Sequence, residues 1–274
     1  MTYSNNLNIC CLFLLFLASS LQTIVVGEPK VPCLFIFGDS LVDNGNNVNR
    51  NTTAKVNYFP YGIDFPGGPT GRFNNGRNIA DILAELLGFD KYIAPFASST
   101  NQDILRGVNY GSGGSGILDE TGHLFRLYDD GARKVAVFAL GKLGCIPQQL
   151  ATYGTSDASS CVETSNDVVQ SFNENLKILI HDLNRNLPDA KFVYTRDTSD
   201  SESYGNISNL SEPCCGVSAE DGQCVAGSVP CSNRDAYLFW DSFHPTEAAT
   251  LLSAKIAYGY MSPLFAESDA VAIY

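Results

Sequence analysis

Three side chains in the sequence are of the types that nucleophilic acyl transfer requires. Ser40 lies in the stretch FIFGDSLVDNGNN, and Asp241 and His244 lie three residues apart in the stretch WDSFHP. A serine hydroxyl needs a base to remove its proton, and that base needs a carboxylate to hold its tautomer and stabilise its cation. The residue types therefore predict a nucleophile, a base and an orienting acid.

A serine or a histidine can also have a purely structural role, so Ser40 and the three histidines have to be compared with that alternative. A serine that follows a strand is often the N-cap of the next helix, and the sequence around Ser40 is not the GxSxG turn of other hydrolases. Of the other histidines, His181 lies on the polar side of a helical pattern and His123 in a glycine-flanked connection, both typical of solvated surface positions. Only His244 lies beside an Asp in a turn, so it is the candidate base.

The elements that must position these residues alternate between strand and helix. Short apolar, partly β-branched runs predict strands over Cys33–Phe37, Gly107–Gly111, Lys134–Leu140 and Ala190–Thr195. Three- and four-residue apolar spacing predicts a helix that stops at Gly88 and a long helix over Asn166–Pro188. This alternation indicates a parallel sheet covered by helices, with functional residues at the carboxyl ends of the strands. Ser40 follows the first strand.

Composition and the N-terminal segment narrow the class of partner and the compartment. The net charge is −12 and no Lys/Arg cluster occurs, which argues against nucleic acid or an anionic membrane surface and favours a small neutral or cationic substrate. The apolar run Ile9–Val26 predicts a signal peptide over residues 1–27, cleaved near Gly27; its start lacks positive charge, so a signal anchor is the alternative. Residues 28–274 then form one secreted domain without an integral membrane span.

Cysteine usage agrees with secretion. The chain has nine cysteines, and removal of Cys10 and Cys11 with the signal peptide leaves an odd number, so at least one stays free. The short spacing of Cys145 and Cys161 predicts a disulfide between them. The cluster CCGVSAEDGQCVAGSVPC lacks the CxxC pairs of a zinc site, so disulfides are favoured there over a metal. Three sequons, at Asn51, Asn206 and Asn209, are candidate glycosylation sites.

The chain resembles the plant-type GDSL esterases/lipases of the SGNH-hydrolase superfamily. The resemblance rests on the stretches FIFGDSLVDNGNN, NYFPYGIDFPGGPTGRFNNGR, GVNYGSGGSGI, LYDDGARKVAVFALGKLGCIP and DAYLFWDSFHPTEAA, in the order of the family. It implies an α/β fold, a three-layer α/β/α arrangement around a flavodoxin-like sheet of parallel strands. The implied activity is hydrolysis of a small-molecule acyl ester or lipid, with no metal or other cofactor.

The resemblance also implies roles for individual residues. Ser40 is then the nucleophile, His244 the general base and acid, and Asp241 the carboxylate that orients it. The oxyanion hole takes the backbone amides of Ser40 and Gly116. The glycine-rich loop also permits two alternatives to Gly116, namely Gly113 and Gly114.

One block of the family pattern is missing from this chain. Family members carry a strand ending in Gly-x-Asn-Asp, whose Asn side chain is a further oxyanion donor. The block is expected between Gly116 and Leu127, where the chain reads only GILDETGHLFRL; the sole Asn-Asp, Asn166-Asp167, opens the long helix. We therefore predict an internal deletion near residues 117–126. An Asn of the DNGNN loop is the candidate substitute donor.

The deletion predicts a sheet one strand short, with the gap between the Ser40 strand and the Lys134 strand. Direct closure of that gap would move the Asp241 and His244 loop by one strand spacing, about 4.8 Å, relative to Ser40. Two hypotheses about function follow. The chain is a secreted serine esterase or lipase that acts through an acyl-enzyme, or it is an impaired family member acting as a non-enzymatic secreted glycoprotein or acyl-ligand binder. The acyl chain, the acceptor and the oligomeric state stay open.

Overall fold

The computed structural model describes residues 28–116, 131–154, 160–196, 205–266 and 271–273. The predicted signal peptide and residues 117–126 lie outside these ranges. The strands of the described part are β1 Leu34–Ile36, β2 Lys134–Phe138, β3 Lys191–Thr195, β4 Asn209–Pro213, β5 Tyr237–Phe239 and β6 Val271–Ile273. Its α-helices are α1 Ile79–Leu87, α2 Asn101–Ile104, α3 Pro147–Tyr153, α4 Glu163–Asn186 and α5 Glu247–Met261.

The main sheet contains four parallel strands in the order β1, β6, β2 and β3. A separate parallel pair is formed by β4 and β5. In the main sheet, Ile273 of β6 lies opposite Ile36 of β1 on one side and opposite Ala136 of β2 on the other. The last strand of the chain is therefore an interior strand of the sheet.

The interior position of β6 shows that β1 and β2 do not close directly on one another. The missing block was expected to leave a gap between these two strands, and β6 occupies that position. Because one strand still separates β1 from β2, the sheet beyond the gap is not shifted by a strand spacing. The displacement of the Asp241 and His244 loop that direct closure would cause therefore does not arise.

The predicted strand over Gly107–Gly111 is reduced to an isolated bridge between Asn109 and Ile36. The segment does run beside β1, because Ile36 donates its N–H to the Val108 carbonyl and accepts from the Tyr110 N–H. The Asn109 side chain also donates to the carbonyl of Val42 and accepts the N–H of Gly111, both at 2.7 Å. These side-chain bonds hold the chain after Asn109, and the segment stays beside the end of β1, because the Ser112 N–H donates to the Gly38 carbonyl at 3.0 Å.

Helices cover both faces of the sheet. On one face, α1 and α5 share a core with β1; its fully buried members include Leu34, Ile36, Ile82, Leu83, Leu87, Ala254 and Met261. Successive residues of β3 alternate between the two faces. Val193 packs against this core, whereas the ring of Tyr194 lies under the ammonium group of Lys177 in α4, 5.2 Å away. The fold class is confirmed as three-layer α/β/α with a reduced sheet.

The two helices predicted from the sequence are both present, but they differ in how much of their apolar face is buried. Helix α1 has the reciprocal cap of Asn78 and Asp81 at its start and the left-handed Gly88 at its end. The long helix α4 begins at Glu163, three residues earlier than predicted. Part of its apolar stripe is exposed, with Val168 69% and Leu179 53% accessible, because α4 meets the molecule mainly at β3 and the turn Leu143–Cys145.

Three disulfides join six of the cysteines in the described ranges. The predicted Cys145–Cys161 bond is present, and its short loop corresponds to about 3 kcal/mol in the loop-closure estimate. The late cluster forms two nested bonds, Cys214–Cys231 and Cys215–Cys224. All four of its thiols are therefore used, which leaves no thiolate there for a zinc ion. Cys33 is the free cysteine.

Candidate active site

The Ser40 loop leaves the carboxyl end of β1 in a tight turn. Gly38 has a φ of 155°, and a Cβ there would lie 2.8 Å from a methyl group of Val42. The Asp39 carboxylate accepts the N–H of Leu41 at 3.0 Å, which closes the turn around the serine. Ser40 itself is half-buried at the end of the strand. Only glycine fits the entry to this turn without strain.

The rest of the loop is held by a buried carboxylate that sequence reasoning missed. Asp43 is fully buried and accepts backbone N–H groups from Gly45 and Asn46, both at 2.7 Å, and from Gly113 at 2.9 Å. Burial raises the pKa of the Asp43 carboxyl, although these donors and the Arg72 guanidinium act in the opposite direction. The Asp followed by small and amide residues in VDNGNN was the signal for such a turn. Asp43 thereby ties the serine loop to the glycine-rich loop.

The second loop follows β5 and is closed by backbone hydrogen bonds. Trp240 donates its N–H to the carbonyl of His244 at 2.7 Å, and Thr246 donates its N–H to the carbonyl of Leu238 at 2.9 Å. The Trp240 side chain is fully buried, and Thr246 caps the start of α5. The loop therefore leaves a fixed strand and enters a fixed helix, so its geometry is determined at both ends.

These two loops bring Ser40, His244 and Asp241 into one hydrogen-bonded chain. His244 Nε2 lies 2.8 Å from Ser40 Oγ, and His244 Nδ1 lies 2.8 Å from Asp241 Oδ2. Asp241 is fully buried and His244 nearly so. Because an ionised carboxylate only accepts hydrogen bonds, Nδ1 carries the proton and Nε2 is left to accept the serine hydroxyl. This is the tautomer that a general base requires.

Tyr61 is a contact of Asp241 that the sequence did not reveal. Its hydroxyl donates to Asp241 Oδ2 at 2.7 Å and accepts the backbone N–H of Cys224 at 3.0 Å. Burial, and next the Asp241 carboxylate, raise the pKa of the Tyr61 hydroxyl far above its ordinary value. The residue lies within NYFPYGIDFPGGPTGRFNNGR, and nothing local in that stretch ties it to Asp241.

The predicted oxyanion donors differ in availability. Among the hydrogen bonds between described residues, the Ser40 amide has no acceptor. Gly116 is exposed and is the last described residue before residue 131, so its part in an oxyanion hole stays a prediction. The Gly113 amide already donates to Asp43, which removes it from the alternatives, whereas Gly114 is exposed.

The Asn side chains of the DNGNN loop are occupied as hydrogen-bond donors. Each of their amide nitrogens donates to at least one backbone carbonyl: Asn44 to Ile93, Asn46 to Asn109 and Gly111, and Asn47 to Ala54 and Gly113. These bonds tie the loop to its neighbours. The expected substitute for the missing oxyanion donor is therefore not provided by this loop.

The fold is that of an α/β/α protein, and the comparisons with known proteins place it among the lipases/acylhydrolases. The profile of the GDSL-like lipase/acylhydrolase family matches residues 34–131 and 121–256. The chain belongs to this family.

Relatives from Arabidopsis thaliana match most of the chain. GDSL esterase/lipase At5g45670 is 34% identical over 339 positions, which cover 90% of this chain and 93% of the relative. GDSL esterase/lipase At1g29660 is 36% identical over 324 positions, covering 85% and 88%. GDSL esterase/lipase At1g33811 is 37% identical over 322 positions, covering 83% and 87%.

The comparisons also support an internal deletion. Each of these alignments is longer than the 274 residues of this chain, so the relatives carry residues that have no counterpart here. The family match is divided into two parts that overlap at residues 121–131. That division falls where the block ending in Gly-x-Asn-Asp was expected.

Proposed function

We propose that the protein is a secreted esterase that hydrolyses carboxylic esters of acyl or lipid substrates through an acyl-enzyme on Ser40. The observation that carries the proposal is the 2.8 Å contact between His244 Nε2 and Ser40 Oγ, with Asp241 on the other ring nitrogen. Relatives that carry the name esterase/lipase cover more than four fifths of the chain. Membership of this family supports ester hydrolysis.

The reaction follows from the positions of these groups. Ser40 Oγ attacks the ester carbonyl carbon while its proton passes to His244 Nε2, and Asp241 stabilises the imidazolium that results. The negative charge on the carbonyl oxygen is met by the amides of Ser40 and Gly116. The bond to the alcohol oxygen then breaks, and His244 returns the proton to the leaving alcohol. Water repeats the sequence on the acyl-enzyme and releases the acid.

The surface beside Ser40 suits an apolar acyl group. Leu41, next to the nucleophile, is 47% exposed, and Phe243, next to the base, is 36% exposed. Ser40, His244 and Leu41 line one small depression with Phe73. Apolar side chains on both sides of the reacting atoms favour an uncharged acyl chain over a charged ligand.

Covalent labelling with a fluorophosphonate tests the nucleophile directly. The reagent forms a stable bond to an activated serine and needs no turnover, so it detects Ser40 even when hydrolysis is slow. We expect the intact mass to rise by one phosphonyl group and peptide mapping to place that group on Ser40. Ser40→Ala should give no adduct, and His244→Ala should slow labelling at least a hundredfold. A properly folded chain that stays unlabelled would contradict the proposed function.

Secretion is supported by the disulfides and by the exposure of two sequons. Three disulfides occur in the described ranges, and no helix there is long and apolar enough to cross a bilayer. Asn51 and Asn206 are exposed. Asn209 is only half exposed within β4, and its side chain both donates to the Glu212 carboxylate and accepts the Glu212 N–H, each at 2.9 Å.

This difference predicts which sequons carry glycans in the secreted protein. Asn51→Gln and Asn206→Gln should each lower the apparent mass by one glycan, whereas Asn209→Gln should leave it unchanged. The reason is that a glycan on Asn209 would be attached to Nδ2, the atom that donates to the Glu212 carboxylate, at a position that is only half exposed within β4. Gel mobility with and without glycosidase measures this. If glycosidase treatment does not change the gel mobility of the secreted protein, the sequons no longer support a secretory route.

A second function, that of an impaired family member that binds acyl ligands, is favoured by a separate observation. The block with the Asn oxyanion donor has no counterpart in the chain, and the Asn side chains of the serine loop are committed elsewhere. Losing one such donor typically slows the reaction about 10²–10³-fold. The two proposals differ in turnover and not in the chemistry at Ser40, so labelling combined with steady-state rates separates them.

A further inference from the structure

We propose that Tyr61 is a positioning residue, whose hydroxyl holds the Asp241 carboxylate in the orientation that His244 needs. This inference rests on the proposed function, because it assigns Tyr61 a part in the same Ser40 reaction. Tyr61 lies 180 positions before Asp241 in the sequence. It reaches neither Ser40 nor the depression beside it, so its effect must pass through Asp241.

The two oxygens of Asp241 are held in different ways. Oδ1 accepts the backbone N–H groups of Phe243 and His244, both at 2.8 Å, from within its own loop. Both oxygens lie near His244 Nδ1, Oδ2 at 2.8 Å and Oδ1 at 2.9 Å, and the other donor to Oδ2 is the Tyr61 hydroxyl at 2.7 Å. Tyr61 is thus a donor from outside the loop, and it holds the oxygen that receives neither of these two backbone N–H groups.

The hydroxyl proton of Tyr61 has a determined direction. A phenol has one proton, and the backbone N–H of Cys224 already donates to its oxygen. A carboxylate only accepts, so the proton must lie between Tyr61 and Asp241. The contact is therefore a charge-assisted hydrogen bond.

Tyr61 is also held rigidly enough to impose this geometry. Its side chain is fully buried, and the ring of Phe73 that packs against it also packs 5.0 Å from the His244 ring. Cys224 is joined by a disulfide to Cys215, whose backbone N–H donates to the carbonyl of Trp240 at 3.0 Å. The nested disulfides therefore hold both Tyr61 and the loop of Asp241.

Removing the hydroxyl has two consequences that can be separated from simple destabilisation. Without the Tyr61 donor, more negative charge stays on Oδ2, so the hydrogen bond from His244 Nδ1 becomes stronger. At the same time the carboxylate gains rotational freedom, so the imidazole spends less time aligned with Ser40. The first effect appears in the proton resonance of Nδ1, and the second appears in the rate at which Ser40 reacts.

The chain offers a matched control at Tyr58. Its hydroxyl lies within hydrogen-bond distance of two acceptors, the Gln223 side-chain oxygen at 3.3 Å and the Cys224 carbonyl at 3.2 Å, and its ring packs edge-on against Tyr61, 5.4 Å away. Tyr58→Phe thus removes a hydroxyl that contacts the Cys215–Cys224 loop, which Tyr61 also contacts, without removing a hydrogen bond to Asp241. The difference between Tyr61→Phe and Tyr58→Phe isolates the carboxylate contact.

The experiment compares both variants with the natural chain by proton NMR and by fluorophosphonate labelling. His244→Gln assigns the low-field Nδ1 proton among the three histidines. We expect Tyr61→Phe to move this resonance downfield and to slow Ser40 labelling about tenfold to a hundredfold, and Tyr58→Phe to leave both near their original values. The inference is overturned if the two variants are alike in both measurements.

Two further measurements cover the cases in which Tyr61→Phe does not fold or the natural chain is not labelled. If Tyr61→Phe does not fold, replacement of Tyr61 by 3-fluorotyrosine keeps the ring and the hydroxyl and makes a stronger donor, so the Nδ1 resonance should move upfield; an unmoved resonance contradicts the inference. If the natural chain is not labelled, the proposed function fails, whereas the NMR comparison still decides whether Tyr61 holds Asp241.

Discussion

Ester turnover should rise about 10²–10³-fold when a strand ending in Gly-x-Asn-Asp, with its flanking helices, is restored between Gly116 and Leu127. The proposed oxyanion hole contains two backbone amides, those of Ser40 and Gly116, and the restored Asn side chain adds a third donor. The measurement is kcat on a short-chain activated ester for both chains at equal active-site concentration, determined by fluorophosphonate titration.

The control for this prediction separates oxyanion stabilisation from nucleophile activation. Ser40→Ala in the restored chain should abolish the recovered rate. Changing only the Asn of the restored block to Ala should return the rate to that of the present chain while leaving the strand in place. Full family-like turnover in the 274-residue chain would show that another donor has taken the place of the missing Asn, and the prediction would be wrong.

Activity at this reduced level is expected because the Ser40, His244 and Asp241 geometry survives the deletion. The hydrogen-bond chain is complete, with both contacts at 2.8 Å. What the described part of the chain lacks is an available Asn donor in the serine loop, since Asn44, Asn46 and Asn47 all bind backbone carbonyls. We therefore expect the predicted deletion to affect stabilisation of the oxyanion more than formation of the nucleophile.

The parts of the site that depend on local sequence could be predicted. Ser40 follows a strand, and the Asp241 and His244 turn is only three residues wide, so residue types and spacing were enough to pair them. The helix α1 carries its own caps in Asn78 and Gly88. In each case the interaction that fixes the structure lies within a few positions along the chain.

The parts that depend on distant contacts could not be predicted in the same way. Tyr61 reaches Asp241 only because the buried disulfide cluster brings Cys224 beside it, and no local pattern encodes such a contact. The apolar spacing predicted the helix α4, but periodicity gives the face of a helix and not the width of the surface it meets. Val168 and Leu179 are exposed for that reason.

The C-terminal strand is the clearest case of a missed non-local contact. Val271, Ala272 and Ile273 include two β-branched residues, which favour a strand, yet their partners β1 and β2 lie far away along the sequence. A gap between those two strands leaves two rows of unpaired N–H and C=O groups facing each other. Any extended segment that can reach the gap satisfies both rows, and β6 does so in parallel to each neighbour.

This arrangement means that β6 and the missing family strand compete for one position in the sheet. The restored chain has two candidate strands for the place between β1 and β2, and the present chain has one. Dependence on β6 should therefore differ between the two chains, which gives a test of the sheet order that does not require enzymatic activity.

Deleting residues 267–274 should destabilise the present chain severely and the restored chain little. In the present chain this truncation removes the partner of both β1 and β2 and leaves their backbone groups buried and unpaired. Each such group costs about 1–3 kcal/mol. The loss in the free energy of unfolding therefore approaches the total stability of a typical domain, about 5–15 kcal/mol. Urea unfolding measures this loss of stability. Ala272→Pro, which removes a single N–H from the strand, is the more conservative variant. In the restored chain the internal strand already fills the position, so neither change should move the midpoint by much. An unchanged midpoint in the truncated present chain would show that β6 does not complete the sheet, and an equal loss in both chains would show that it stabilises the protein in some other way.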